Sequence, residues 1–171
     1  MSGQSSNDDI LIFIMRHGEA ESLRLDDKSR QLTDAGRSQV SRAAKWLQEE
    51  WCRDGKVDLA LVSPYRRTRQ TYDMLSLDIH ASKMEVTADI TPDGDAQGVH
   101  DYLDARLAMS KARDQELKRV LLVSHMPLVS YLVDAMCDSY TTSLFATASI
   151  AVIRYNVHTH KGNLEVHYQG R

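Results

Sequence analysis

The chain has 171 residues, 42% hydrophobic and 26% charged, a composition that fits one soluble globular domain. At this length roughly 70% of the unfolded surface can be buried without disulfides or a structural metal. A formal net charge of −3, with no block of like charges, argues against a general nucleic-acid binder. Cys52 and Cys137 lie far apart with no Cys or His at metal-ligand spacing, so both are expected as reduced thiols, and neither a metal nor another cofactor is expected. Met1 to Asp9 is polar without Lys or Arg, and the apolar run behind it is too short for a signal peptide or a membrane span. We therefore expect a cytoplasmic, monomeric protein that binds no membrane, with residues 1–9 as a flexible terminus and 10–171 as one domain.

The run Ile10-Leu11-Ile12-Phe13-Ile14-Met15 is continuously apolar and β-rich, the pattern of a strand covered on both faces of a parallel or mixed sheet. It stops at Arg16-His17-Gly18. Thr33 is placed to cap a helix whose apolar residues Val40, Ala43, Ala44, Leu47 and Trp51 recur at helical spacing, ending near Arg53-Asp54-Gly55. Leu59 to Val62 reads as a second buried strand, with Ser63 as N-cap and Pro64 as the first residue of a helix to Leu75. Met84 to Ala88 is expected as a third strand. Pro92-Asp93-Gly94-Asp95 is a turn, and Val99, Leu103 and Leu107 mark the helix after it.

Val120 to Val123 is a fourth buried strand ending at Ser124-His125, and Pro127 opens a helix through Met136 whose apolar stripe reads as core. Ser149 to Val157 and Leu164 to Tyr168, joined by His160 to Asn163, read as a hairpin on the sheet. The alternation predicts an α/β fold of three layers, α/β/α, with a mostly parallel central sheet.

Three of these strands end in reactive or charged groups: Arg16-His17, then Ser63 ahead of Arg66 and Arg67, then Ser124-His125. In an open α/β sheet the carboxyl ends of parallel strands share one edge, where ligands bind. Arg66, Arg67 and Arg69 fall in the first turns of their helix, where the dipole disfavours cations; an anion held by Arg16 and Arg67 would resolve that conflict, although arginines pointing into water would also satisfy it. A single histidine after a buried strand is ordinarily a hydrogen-bonded structural residue. Two imidazoles and two guanidiniums at one edge instead make a cationic pocket suited to a phosphoryl group, with one imidazole able to attack phosphorus and the other groups stabilising its oxygens.

These residues also carry a resemblance. Arg16-His17-Gly18-Glu19, Ser63-Pro64-Tyr65-Arg66-Arg67-Thr68-Arg69-Gln70-Thr71 and Val123-Ser124-His125 match, in order and over about 110 residues, the signature segments of the histidine phosphatase superfamily, the phosphoglycerate mutase-like group. The opening Arg-His-Gly-Glu-Ala, the segment Thr91 to Asp95 and the stretch Ser124 to Val133 most resemble the SixA-type phosphohistidine phosphatases. Larger members insert a helical lid carrying the acid that protonates the leaving group. Only about twenty residues separate Thr71 from Thr91, so no lid insertion is expected.

The resemblance implies a hydrolase acting through a phosphohistidine intermediate on His17, with Arg16, Arg67 and His125 completing the pocket and Gly18 and Ser63 beside the substrate. Asp95, Asp93 and Glu19 are candidate proton donors, although Asp93-Gly94 is good turn chemistry and Asp95 a natural helix cap. An open groove suits a histidine-phosphorylated protein such as a phosphorelay or phosphotransfer domain. A small-molecule phosphomonoesterase and a non-catalytic phosphate-recognition module are the rival readings, and the presence of two histidines where arginine would suffice for binding speaks for catalysis. His158, His160 and His167 could attract a metal but lack a completing ligand. His80 and His100 have no motif context and are expected at the surface or capping a neighbour.

Overall fold

Strand β1 (Asp9–Arg16) supplies four side chains in succession, Ile12, Phe13, Ile14 and Met15, that are entirely buried. That happens only where both faces of a strand are covered, and burying each such side chain contributes about 1.5–3 kcal/mol. The structure is a computed structural model that describes residues 9–22, 26–137 and 144–170. The flexible terminus expected at residues 1–9 falls outside these except for Asp9, which pairs with Asn156 at the start of the sheet.

After β1 come a 3-10 turn at Asp27–Ser29, α1 (Asp34–Glu50), β2 (Lys56–Val62), α2 (Arg66–Leu75), β3 (His80–Val86) and a second 3-10 turn at Ala88–Ile90. Then follow α3 (Ala96–Ala112), β4 (Arg119–Ser124), α4 (Leu128–Cys137), β5 (Ile150–Asn156) and β6 (Lys161–Tyr168). The six strands lie in the order β3-β2-β4-β1-β5-β6. β1 to β4 run parallel to one another, and β5 is antiparallel to both β1 and β6. Phe13 and Met15 of β1 pack with α1 and with Leu75 of α2 on one face; Ile12 and Ile14 pack with α3 and α4 on the other. The strand period of two thus divides β1 between two cores, and the three-layer α/β/α fold follows. No inserted lid separates Thr71 from Thr91: the interval holds the end of α2, β3 and the second 3-10 turn.

Thr33 caps α1 as expected, its hydroxyl accepting from the Gly36 amide. Ser63 and Pro64 do not open α2. The helix begins two residues later behind Tyr65 without a side-chain cap, because the Ser63 hydroxyl is engaged elsewhere. β3 starts four residues earlier than Met84 because it is an edge strand, mostly exposed, whose apolar signal is weak. The hairpin turn is Val157 to His160 rather than His160 to Asn163, with His160 at φ 59°. α4 starts at Leu128, one residue after Pro127, whose peptide bond is cis. Of the two places expected for His100, the surface or a bond to a neighbouring group, it takes the second: it is buried, its Nε2 2.7 Å from the Tyr155 hydroxyl.

Candidate active site

The parallel register puts Arg16 opposite Ser124 and Val62 opposite Val123, so β1, β4 and β2 end side by side. The residues just beyond them, His17, His125 and Ser63, therefore meet at the carboxyl edge of the sheet. Backbone bonds extend the ladder: the His17 amide donates to the Ser124 carbonyl and the Ser63 amide to the Val123 carbonyl, both at 3.1 Å. α2 then returns Arg67 to the same point.

The backbone at His17 is clamped from both sides. A Cβ on Gly18 would lie 2.8 Å from the Gly36 carbonyl oxygen and 2.9 Å from Val40 Cγ2, and one on Gly36 would lie 2.1 Å from the Glu19 carbonyl oxygen. Only glycine at both positions lets the chain after β1 lie on the first turn of α1. On the other side the Ala148 amide donates to the His17 carbonyl at 2.9 Å. The Gly18 amide donates to Thr71 Oγ1 at 3.1 Å, so it is already committed within the protein.

His17 Nδ1 lies 2.7 Å from the Gly18 carbonyl, which can only accept; Nδ1 therefore carries the proton. The one lone pair of Nε2 in turn accepts from Arg67 Nε at 3.3 Å and so points into the guanidinium cluster. Burial, followed by the charges of Arg67, Arg16 and Arg30, pulls the pKa of His17 down to about 3, against the opposing influence of the Gly18 carbonyl. The ring is neutral at physiological pH, with its nucleophilic nitrogen defined by one backbone oxygen.

His125 is buried 5.3 Å from His17, centroid to centroid, with the rings inclined at 63°. Its Nε2 lies 2.7 Å from Ser63 Oγ, and Tyr65 meets its ring edge-on at 4.9 Å. Burial first, then His17, Arg67 and Arg16, bring its pKa to about 2. Its Nδ1 is buried with no hydrogen-bond partner among the described residues, and the same holds for Nε of Arg16. Arg16 is otherwise fixed by Nη1 donating to the Phe145 carbonyl at 2.7 Å. Burial and then Arg67 lower its pKa, and burial lowers that of Arg67 against the pull of Asp27.

Two residues that the sequence reading passed over complete the cluster. Arg67 Nη1 donates to the Asp27 carbonyl at 2.8 Å and Nη2 pairs with Asp27 Oδ2 at 3.3 Å. Arg30 Nε pairs with the other Asp27 oxygen at 2.8 Å while its Nη1 holds the Glu21 carbonyl. Despite partial desolvation, these arginines keep the Asp27 carboxyl below its ordinary range. One carboxylate thus orients two guanidiniums in a pocket that still holds more positive than negative charge. Such a site is costly without an anion and favours a phosphoryl group.

The candidate proton donors lie outside this cluster. Asp95 caps α3, its carboxylate accepting from the Gly98 amide at 3.0 Å, and Asp93 is exposed on the same loop. Glu19 is exposed, and its backbone is bonded to Gln39 and Thr33. The exposed Arg66 and Arg69 flank Arg67 on α2 without sharing its partners. His160 pairs with Asp104 at 3.3 Å, and among the described residues no three His, Cys, Asp or Glu side chains gather as a metal site.

The profile of the histidine phosphatase superfamily (branch 1) matches residues 12–91. A phosphohistidine phosphatase SixA homolog of Haemophilus influenzae is 36% identical over 150 residues, 85% of this chain and 88% of its own. Phosphohistidine phosphatase SixA of Escherichia coli is also 36% identical, over 83% of each chain. A solved structure of the protein histidine phosphatase SixA complexed with tungstate superposes with a TM-score of 0.83 at 31% identity, covering 94% of this chain and 97% of that one. With its strand-end histidines, paired arginines and lidless edge, the chain belongs to the histidine phosphatase superfamily and, within it, to the SixA group.

Proposed function

We propose that this chain is a phosphohistidine phosphatase that takes a phosphoryl group from a histidine-phosphorylated protein, such as a phosphorelay or phosphotransfer domain, onto His17 and passes it to water. In this reading it works as a cytoplasmic monomer. The observation that carries the proposal is the state of His17: neutral, with Nδ1–H on the Gly18 carbonyl and Nε2 facing Arg67.

In the first step the lone pair of Nε2, released by Arg67 Nε as Arg67 turns to the phosphoryl oxygens, attacks phosphorus in line; the P–N bond of the substrate breaks, and its electron pair leaves with the departing imidazole, which takes a proton from water at the open edge. Because one P–N bond replaces another, leaving group and nucleophile are of the same kind, and no strong acid is needed. The engagement of the Asp95 carboxylate with the Gly98 amide as a helix cap agrees with that economy. Arg16, Arg67 and His125 hold the three equatorial oxygens, where most phosphoryl-transfer catalysis resides. With Ser63 donating to Nε2, His125 presents Nδ1–H, and the unpartnered Nε of Arg16 adds a second donor. Ser63 and Gly18 act as positioning residues.

In the second step a water oxygen bonds to phosphorus and the Nε2–P bond breaks, returning its pair to Nε2. His17 keeps its Nδ1 proton throughout, so its phosphorylated ring is an imidazolium held by the Gly18 carbonyl, and that ring departs readily. The open edge admits a side chain presented by another protein. The test compares the unmodified chain with His17→Ala on a histidine-phosphorylated carrier protein. We expect a loss of about a thousandfold or more in kcat/KM, as for removal of a nucleophile elsewhere. Undiminished activity contradicts the mechanism.

A further inference from the structure

The helix α2 carries three arginines in its first turn and only Arg67 enters the pocket. Arg66 and Arg69 are exposed, have no ion pair among the described residues, and oppose the helix dipole where they stand. With Lys28, also exposed and unpaired among the described residues, they line an open depression beside the Asp27–Arg67 contact, alongside the acids Asp26 and Asp73. Adding Arg30, this wall of the active-site mouth carries more cations than anions.

The opposite wall has the reverse sign. The loop between β3 and α3, which packs over the end of β4 through the bond from Ser124 Oγ to the Ile90 carbonyl, exposes Asp89, Asp93 and Asp95. Between Lys83 and Arg106 the sequence has no Lys or Arg at all. α2 lies on one face of the sheet and α3 on the other, each beginning beyond the carboxyl ends of the parallel strands, so the two charges flank the site from opposite faces. In a chain of net charge −3, cations left unpaired next to the reaction centre run against the overall balance.

From this polarity we infer that the Lys28, Arg66 and Arg69 face docks an acidic surface flanking the phosphohistidine of the protein substrate. The inference rests on the phosphohistidine reading and adds the partner's chemistry to it. Acidic residues beside the phosphohistidine are drawn to the α2 wall and repelled by the aspartate loop, so attraction and repulsion together set the orientation of the partner.

The experiment uses three substrates phosphorylated with phosphoramidate: a histidine peptide flanked by Asp and Glu, the same peptide flanked by Ser and Gly, and free histidine. At low ionic strength we expect the acidic peptide to be preferred by about tenfold in kcat/KM, and the preference to shrink toward unity in about 0.5 M salt. The double variant Arg66→Glu with Arg69→Glu inverts the peptide preference while cleaving free phosphohistidine within about twofold of the unmodified chain. Equal use of both peptides overturns the inference, as does an equal loss on peptides and free phosphohistidine. The salt dependence of the unmodified chain decides the matter even if the double variant does not fold. If the unmodified chain cleaves an aryl phosphate but none of the three substrates, the phosphohistidine reading itself fails, and the docking assignment with it.

Discussion

His17 and His125 are kept as neutral bases away from water, and this predicts that mild acid destabilises the fold through the active site. Their pKa values stand at about 3 and about 2 against an ordinary 6.5 for an exposed imidazole. Between those limits the unfolded chain binds protons that the folded chain refuses. The stability each ring contributes by staying neutral is complete above about pH 6.5 and falls away as pH drops toward the folded value. At about pH 5 the loss per histidine is RT ln(1 + 10^1.5), or about 2 kcal/mol relative to neutral pH. Neither ring is protonated in the folded state at that pH, so the two losses add to about 4 kcal/mol, a large part of the stability of an ordinary domain. Urea unfolding near neutrality and at about pH 5, without phosphate, measures the change for the unmodified chain and for His17→Ala and His125→Ala. Each variant should lose about 2 kcal/mol less than the unmodified chain between the two conditions. Carboxylates with depressed values, such as Glu85 beside Arg106, add a loss common to all three proteins and cancel in the comparison. Identical pH dependence in all three refutes the assignment of neutral, desolvated rings.

Ser63→Ala removes the hydroxyl that holds His125 Nε2, leaving a second buried nitrogen unpaired; we expect about 1–3 kcal/mol of destabilisation and a fall in kcat on free phosphohistidine, measured by melting and steady-state kinetics. Asp27→Asn keeps the backbone carbonyl that Arg67 grips but removes one negative charge beside the pocket. Its stability should drop by no more than about 1 kcal/mol, since the carboxylate is partly exposed, while inhibition by inorganic phosphate should become stronger; weaker inhibition would count against the charge argument. Gly18→Ala forces a Cβ against the Gly36 carbonyl and should cost about 1–3 kcal/mol in unfolding free energy. A Gly18→Ala protein of unchanged stability would mean that the two segments are not held in close approach.

The parts of the fold that were legible in the sequence are those where local pattern and burial agree. Ile10 to Met15 of β1, Leu59 to Val62 of β2 and Val120 to Val123 of β4 are continuously apolar because both faces are covered, and Thr33 signals α1 because its hydroxyl, while donating to the Glu19 carbonyl, still accepts from the Gly36 amide. Ser63 misled because the same side chain that caps helices elsewhere here serves His125, a partner 62 residues away. The burial of His100 was equally illegible, since it depends on Tyr155 of β5, 55 residues away, as well as on Asp104 one turn along α3. In the site, His17, Arg67 and His125 were readable as strand-end or helix-start groups. Asp27 and Arg30 sit in a polar stretch without periodicity, and their only local signal is the three-residue spacing of an acid and a base. The Phe145 carbonyl that fixes Arg16 is a backbone atom, and no residue type announces it.

In the proposed mechanism phosphate passes through Nε2 of His17. Rapid mixing with a histidine-phosphorylated carrier protein, alkaline quench and peptide mass spectrometry read it directly, with fragmentation assigning the residue. A transient phosphate is expected on the peptide containing His17, formed as the carrier loses its own and absent in His17→Ala. Phosphate lost from the carrier at full rate with none ever found on His17, or found instead on His125, would contradict that mechanism.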